Sequence, residues 1–516
     1  MQVSPALLHN MLKMRLLLYL CIALLCLPMD TVLAQQTTFS KVFSNYTLDP
    51  ENGWSILETE DGYLMVSAGE CFGQDAIICG VISKLDKNGD LVWFKQLDYY
   101  PRRHNSIHIF NNKIYLSGAT NIGDGQFKLY CLDLDGNILW DKVFGSPTQD
   151  EADATFIFTS DNHIIMYGTR RPNIAGLPLL KIYVVKTDTE GNFLEDHTYD
   201  FQNNQSLGRT VIESSDLQTV FSYIACESCF FDVLGGVASI NSSGNLNWNL
   251  ELPKFFQPDS PNIIQSGSEE LVVNWHTATK LVNHDLDPPA LFYLDISGHI
   301  LDSVVFENQS LKSISDLEPL WNKGLVGCGD NYINYLTQPN APLAGWVFRL
   351  DENREILWER NYLDTLYQGR SFGLKQVLPT TDGGYIATGT ITNFMTGVWE
   401  SHNWILKLDS MGCLNPGCGA VNYVTNTDEM VFLKGKEIKI YPNPADQHIN
   451  VVLPDHLVSP KTTISIVSNS GLVVKKVMAN TKEMQVNLSG IPSGIYYVVI
   501  MMENEVITSQ RIVISR

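Results

Sequence analysis

One short pattern recurs along most of the chain. LDKNGDLVWFKQL at 85–97 and LDLDGNILWDKVF at 132–144 share the order Asp-x-x-Gly-x-x-x-Trp-x-Lys. RLDENREILWERNY at 349–362 follows the same plan, and INSSGNLNWNLEL at 240–252 is a weaker version. TDTEGNFLEDHTY at 187–199 and LDISGHILDSVVF at 294–306 keep the turn but lack the tryptophan, and LKLDSMGC at 406–413 has only the first half. The first position falls at Asp86, Asp133, Asp188, Asn241, Asp295, Asp351 and Asp409, in steps of 47, 55, 53, 54, 56 and 58 residues. A repeat of this period constrains the fold more than any single residue does.

Physically the pattern is a strand, a tight Asp/Gly turn and a second strand. Upstream in most repeats lies another strand ending in a small residue: GYLMVSAG at 62–69, KIYLSGA at 113–119, HIIMYGT at 163–169 and GYIATGT at 384–390. A further short strand precedes it, such as WSILET at 54–59 or ATFIFT at 154–159. Each unit is therefore about four antiparallel strands, the unit of a propeller blade. Ten Trp, 21 Tyr and 22 Phe favour strands as well. The expected class is all-β, with a seven-bladed β-propeller over residues 35–419.

The two ends of that region favour closure. The seventh repeat lacks its Trp strand, but FSKVF at 39–43 matches WFKQL, WDKVF and WERNY as aromatic-x-Lys/Arg-x-apolar. Phe39–Phe43 is expected to be the outer strand of the last blade, sealing the ring. The alternative is a leftover strand and a ring of six or eight blades. The Asp-x-x-Gly-x-x-x-Trp repeat resembles those of quinoprotein-type propellers. The resemblance implies Trp93, Trp140, Trp248 and Trp358 packed between blades. It carries over no quinone: the chain has no adjacent-cysteine pair and no convincing set of cofactor ligands, so no cofactor and no metal is expected.

Residues 1–34 read as a secretory signal peptide. Lys13 and Arg15 precede the apolar run LLLYLCIALLCL at 16–27, and Val32-Leu33-Ala34 supplies small residues before Gln35. Twelve apolar residues fall short of the roughly 20 that span a bilayer, and no later stretch is apolar enough, so no transmembrane segment is expected in the mature chain. A net charge of −21 disfavours nucleic acid as a partner. Export permits disulfides, and Cys71/Cys79, Cys226/Cys229 and Cys413/Cys418 are close pairs. Cys131 and Cys328 have no neighbour in sequence and read as buried thiols.

After Cys418 the blade pattern stops. Residues 420–436 read as a linker. IKIYPNP, INVVLP, TTISIVSNSG, LVVKKVM, MQVNLSG, GIYYVVIMM and QRIVIS follow as short strands, enough for a small Ig-like β-sandwich over 437–516. Tyr441-Pro442-Asn443-Pro444, then Ile449-Asn450-Val451, ISIVSNSGLVVKK at 464–476 and LSGIPSGIYYVVI at 488–500, with Leu488, Pro492, Gly494 and Tyr496, resemble the type IX secretion C-terminal sorting domain of type A. The resemblance spans 437–516, with Glu503-Asn504-Glu505 where the family usually has a glycine. It implies crossing of the outer membrane through a dedicated translocon, removal of the domain by a sorting peptidase, and release of the cargo or its attachment to surface lipopolysaccharide. The protein would then be secreted or held on the outer face of the outer membrane. LDSMGCLNPGCG at 408–419 looks like a junction found before such domains, with Cys413 and Cys418 as a disulfide pinning the last blade.

Motifs with chemistry are sparse. Asp86-x-Asn88-x-Asp90 and Asp133-x-Asp135-x-Asn137 mimic half a calcium loop, but the glycine is misplaced and the distal Glu absent, so Asx-turns are expected. Cys226-Glu-Ser-Cys229 has redox spacing but lies between strands and reads as structural. Arg102-Arg103-His104 reads as a solvated loop, and His163 and His402 as ordinary residues. The sequence has no metalloprotease, nucleophile-elbow or phosphate-loop motif, so no catalytic residue is assigned. The long connections at 170–180, 276–290 and 329–344 would share one face with the blade-to-blade loops, the candidate binding face. The first functional reading is a secreted or cell-surface binding protein whose glycan or protein ligand is not specified. The second is a glycan-cleaving or lyase-type propeller with ionisable groups gathered at the central funnel. The third is a structural surface adhesin.

Overall fold

The computed structural model describes residues 37–515 except 45–51, 71–77, 102, 104, 121–124, 172–179, 202–204, 227–232, 256–260, 277–287, 307–310, 323, 333–342, 365–369, 394–399, 416, 425–426, 432–437, 454–457, 469–471 and 503–504. The signal segment, Cys71, Cys229, Arg102, His104 and most of the three long connections lie outside the described residues. The described residues form strands and turns, with no helix among them, so none contains a helix long and apolar enough to cross a membrane.

Seven sheets succeed one another along residues 39–431. The first has the order Asn52–Thr59, Gly62–Glu70, Ile78–Asp86, Leu91–Leu97. The second begins at Ile107–Phe110, the third at Asp150–Phe158, the fourth at Gln205–Glu213 and the fifth at Ile263–Ser266, each followed by three antiparallel strands in sequence order. The sixth runs from Leu311–Pro319 to Ile356–Asp364, and the seventh contains Arg370–Pro379, Tyr385–Asn393 and Glu400–Leu408. In the first six sheets the fourth strand is less buried than the third, while in the seventh the strand Phe39–Ser44 keeps Ser40, Lys41, Val42 and Phe43 buried. Third strands such as Val233–Ile240 and Phe127–Leu132 are buried throughout, whereas the fourth strand Ile138–Phe144 is mostly exposed. A strand buried on both faces needs a continuous apolar run, and an outer strand does not.

The repeat motif is explained by what each turn meets. The motif glycines have positive φ, for example Gly136 at 80° and Gly298 at 84°. A side chain added to Gly136 would lie 2.8 Å from the Trp93 ring of the preceding sheet. The same relation pairs Gly191 with Trp140, Gly298 with Trp248 and Gly412 with Trp358, at 2.8, 2.6 and 2.7 Å. At Gly244 the neighbour is His197. The glycine therefore does two things: it takes a left-handed turn position and leaves a seat for an indole from the sheet before. Asp and Gly belong to one sheet and the seated ring to its neighbour, so the motif encodes packing between repeats.

Phe39–Ser44 pairs antiparallel with Glu400–Leu408, Phe39 opposite Lys407 and Phe43 opposite Asn403. It supplies the fourth strand of the seventh sheet. The Phe39 ring lies 2.5 Å from where a side chain on Gly89 of the first sheet would stand. Lys41 Nζ reaches Asp90 Oδ1 at 2.5 Å in that same turn. Phe39 thus occupies the place that Trp93 holds one sheet further on.

Residues 420–436, expected to be a linker, contain two strands instead. Val421–Val424 adds parallel to Ile356–Asp364 in the sixth sheet, and Thr427–Val431 adds parallel to Phe39–Ser44 in the seventh. Addition to an existing edge uses backbone groups alone, so it leaves no side-chain pattern to read. The outer edge of the strand Phe39–Ser44 is covered by the chain's own tail.

Beyond residue 438, Lys439–Tyr441, His448–Val452 and Glu483–Asn487 form one sheet. Val473–Ala479, Ser459–Ser468, Gly494–Met502 and Glu505–Ile514 form a second. Ile440, Ile449, Val451 and Val486 from the first share one core with Ile464, Ile466, Val498, Ile500 and Ile512 from the second. Two sheets facing a common apolar layer satisfy the alternation seen in INVV and ISIV.

Candidate functional site

The first strands of five sheets each carry one extra residue at a corresponding place. The registers shift between Gly53 and Ser55, Ala152 and Thr155, Gly208 and Val211, Ile314 and Asp316, and Leu374 and Gln376. A bulge re-aims side chains away from the regular pleat. The bulge segments contain Trp54, Asp153, Arg209, Ser315 and Lys375. Polar groups around the bulges then tie the sheets together. Gln376 Oε1 accepts from Ser55 Oγ and Ile56 N at 3.0 and 2.7 Å, and its Nε2 donates to Asn105 Oδ1 at 2.7 Å. Thr155 Oγ1 donates to Asn105 O at 2.9 Å, and Gly208 N to Thr169 Oγ1 at 3.1 Å. Ile263 N donates to Thr210 Oγ1 at 2.9 Å, Asn274 Nδ2 to Ile314 O at 3.1 Å, and Val377 N to Asp316 Oδ2 at 3.1 Å. All seven sheets enter this polar collar.

Charges of both signs accompany it. Arg103 Nη2 meets Asp153 Oδ2 at 2.9 Å, with both side chains largely buried. Lys375 Nζ stands 4.0 Å from Asp330 Oδ2. Asp316 is 1 % exposed, and burial holds its carboxyl well above the usual range, with the Glu318 charge adding to the effect. Burial also raises Glu318 and the Cys328 thiol. The indole Nε1 of Trp54 is buried and makes no hydrogen bond among the described residues. The collar's hydrogen bonds run between the sheets themselves, and the Trp54 indole edge is left over beside them. Among the described residues no group of three or more His, Cys, Asp and Glu is placed to hold a metal ion.

The raised Asp316 has a consequence for stability. A carboxyl whose folded pKa lies above its unfolded value favours folding most when protonated, at low pH. Its penalty grows as pH rises from about 3.8 through the folded value. Asp316→Asn keeps an acceptor for Val377 and removes that ionisation. The variant is expected to gain on the wild type in urea melts as pH rises from acid to neutral. A constant difference between the two across pH would contradict the assignment.

Asp86 Oδ1 accepts from Asn88 N and Asp90 N, both at 2.8 Å, and Asp133 Oδ1 accepts from Asp135 N and Asn137 N at 3.1 and 2.7 Å. The half calcium loops are Asx-turns, their carboxylates turned inward to the backbone. Cys413 and Cys418 form a disulfide at the end of the seventh sheet. Cys79 and Cys226 are disulfide-bonded, while Cys131 and Cys328 are buried free thiols. His163 Nδ1 lies 2.9 Å from Asp161 in a surface hairpin. The collar escaped sequence reading, because a bulge shows only as a polar residue interrupting an apolar strand, as Lys375 does in GLKQVL.

In the carboxy-terminal sandwich the motif residues separate into three duties. Leu488 and Tyr496 are buried in the core. Pro492 and Gly494 shape the turn into the strand Gly494–Met502. Tyr441 is 43 % exposed, and its hydroxyl donates to Glu483 Oε1 at 3.0 Å. Pro442 and Pro444, both exposed, flank Asn443. Asn443 grips the final strand: its Nδ2 donates to Arg511 O at 3.0 Å and its Oδ1 accepts from Val513 N at 2.8 Å. Ala445 N donates to Val513 O at 2.7 Å and Ser515 N to Ala445 O at 2.9 Å. The Tyr-Pro-Asn-Pro stretch is thus a clasp on the last strand.

An uncharacterized protein of Aquifex aeolicus is 31% identical over 98 residues, which cover 19% of this chain and 27% of that one. PorZ, a surface component of the type-IX secretion system of Porphyromonas gingivalis, is 10% identical at a TM-score of 0.27, covering 92% of this chain and 70% of that one. The β-propeller domain of the Trilobed protease from Pyrococcus furiosus is 9% identical at a TM-score of 0.39, covering 71% and 95%. Residues 439–515 match the family described as the secretion system C-terminal sorting domain, so the sandwich that closes on the Asn443 clasp is a sorting domain of that kind.

Proposed function

We propose that this chain is a cell-surface or secreted binding protein, a seven-bladed β-propeller exported by type IX secretion through an Ig-like carboxy-terminal domain. Residues 1–34 act as its signal peptide, and the translocon and its sorting peptidase are its export partners. The observation that carries the export route is the family match over 439–515. The circuit of seven sheets, with Phe39 seated on Gly89, supports a closed ring. The polar collar on the first strands is the proposed ligand site, with hydroxyl-rich glycans or protein loops as its ligand class. Deletion of 437–516 is expected to leave the protein in the periplasm, seen by fractionation and surface protease shaving. Undiminished surface delivery of the truncated chain would refute the route. Binding is tested on residues 35–431, which retain the two added tail strands, against a glycan array. Glycan cleavage by that fragment would favour the catalytic reading instead.

A further inference from the structure

One junction departs from the ring-on-glycine rule. In the fifth sheet the residue opposite Tyr293 is Asp302, the register held by Trp248 opposite Ser239 and Trp358 opposite Arg349. In the sixth sheet the turn glycine is replaced by Arg354, which keeps the left-handed conformation at φ 68°. Arg354 Nη1 bonds to Asp302, its Nη2 lies 2.5 Å from Glu270 Oε1, and its guanidinium stands 4.0 Å over the Tyr293 ring. An aromatic plug and its glycine seat have been exchanged together for an acid and a base. Both changes fall at the same junction, and each makes sense only with the other: a β-carbon at 354 would strike an indole, and an unpaired Asp302 would face Glu270.

The exchange alters the physics of the seam. A ring on a glycine is held by packing, which salt hardly weakens. Arg354, Glu270 and Asp302 are 28%, 24% and 54% exposed in their side chains. Beside them opens a polar cleft of about 260 Å³, lined among others by Ser266, Glu269, Asp351 and Glu352. Arg354 is the cation among four carboxylates there, Glu269, Glu270, Asp351 and Glu352, with Asp302 reaching it from the fifth sheet's outer strand. Ion pairs in such a setting are weak and are screened by salt.

We propose that the fifth-to-sixth junction is an ionic latch, the seam at which the circuit of sheets loosens as ionic strength rises. Hydrogen exchange on the full chain tests it, at about 0.1 M and about 1 M sodium chloride, where the screening length falls from about 10 to about 3 Å. Amides of Ile300–Val305 and of the turn at 351–355 are expected to exchange about three- to ten-fold faster at the higher salt. The equivalent strand Ile138–Phe144 and turn 188–192 should not change. The paired replacement Asp302→Trp with Arg354→Gly restores the plug and should abolish the response. Arg354→Met keeps the stem without the charge; salt should then slow exchange, by screening Glu270 from Asp302. A flat wild-type response, an equal response at all junctions, or a salt-induced rise that survives in either variant overturns the latch.

Discussion

A chain lacking residues 37–44 is expected to lose more stability than any single core substitution would cost it. Val42 and Phe43 are both fully buried, and truncating a phenylalanine of that kind alone costs about 3–5 kcal/mol. Removing the strand also uncovers the Glu400–Leu408 edge, leaves Gly89 without its ring and strips Thr427–Val431 of its partner. The losses share one seam, so they fall together as a lowered urea midpoint and a new early transition. Phe43→Ala gives the milder version, with the m-value unchanged. A deletion that melts with the full chain would show that the seventh sheet stands without its fourth strand.

The second large effect is expected at the glycine seats. Gly136→Ala places a β-carbon against Trp93 at a φ of 80°. The left-handed backbone costs roughly 1–2 kcal/mol, and overpacking a further 1–3 kcal/mol or so. Gly490 is the control, with φ 84° and nothing within 4 Å of an added carbon. Gly490→Ala should show the backbone cost alone. In the Trp93→Ala background, Gly136→Ala should lose most of its packing cost, so the double-variant cycle is strongly non-additive. Additive losses would mean that ring and glycine do not act as a pair.

These two expectations also mark what could be read from the residues. The repeat positions, the extra strand at 39–43 and the Cys413/Cys418 pair were legible because each leaves a local trace: a turn signature, a lysine-flanked aromatic, two cysteines around Pro416-Gly417. The reason for the motif was not, because its glycine answers to a tryptophan one repeat earlier. Asp302 stands where the repeat lacks its tryptophan, and only the register and the ion pairs show that Arg354 at the next turn changed with it. The tail strands were invisible for a different reason: parallel addition to an edge asks nothing of the side chains. The collar lay between, since Asn105, Gln376 and Asp316 are polar residues whose partners stand in other sheets. In the sorting domain, Leu488 and Tyr496 could be recognised as a motif, but not as core, and Asn443 not as a clasp.

The seventh sheet joins the two extremes of the seven-sheet region: Phe39–Ser44 lies between Glu400–Leu408 and Thr427–Val431. Its contacts therefore have a sequence separation close to the whole length of that region. Entropy charges little for so long a closure, because the cost grows only with the logarithm of the loop, but kinetics charges more. The first strand to be made has no partner until almost everything else exists. A chain cut short before Glu400 would carry that strand without either of its hydrogen-bonding partners. Completeness of the polypeptide is thereby converted into the absence of a sticky edge, so the fold itself reports whether the chain was finished.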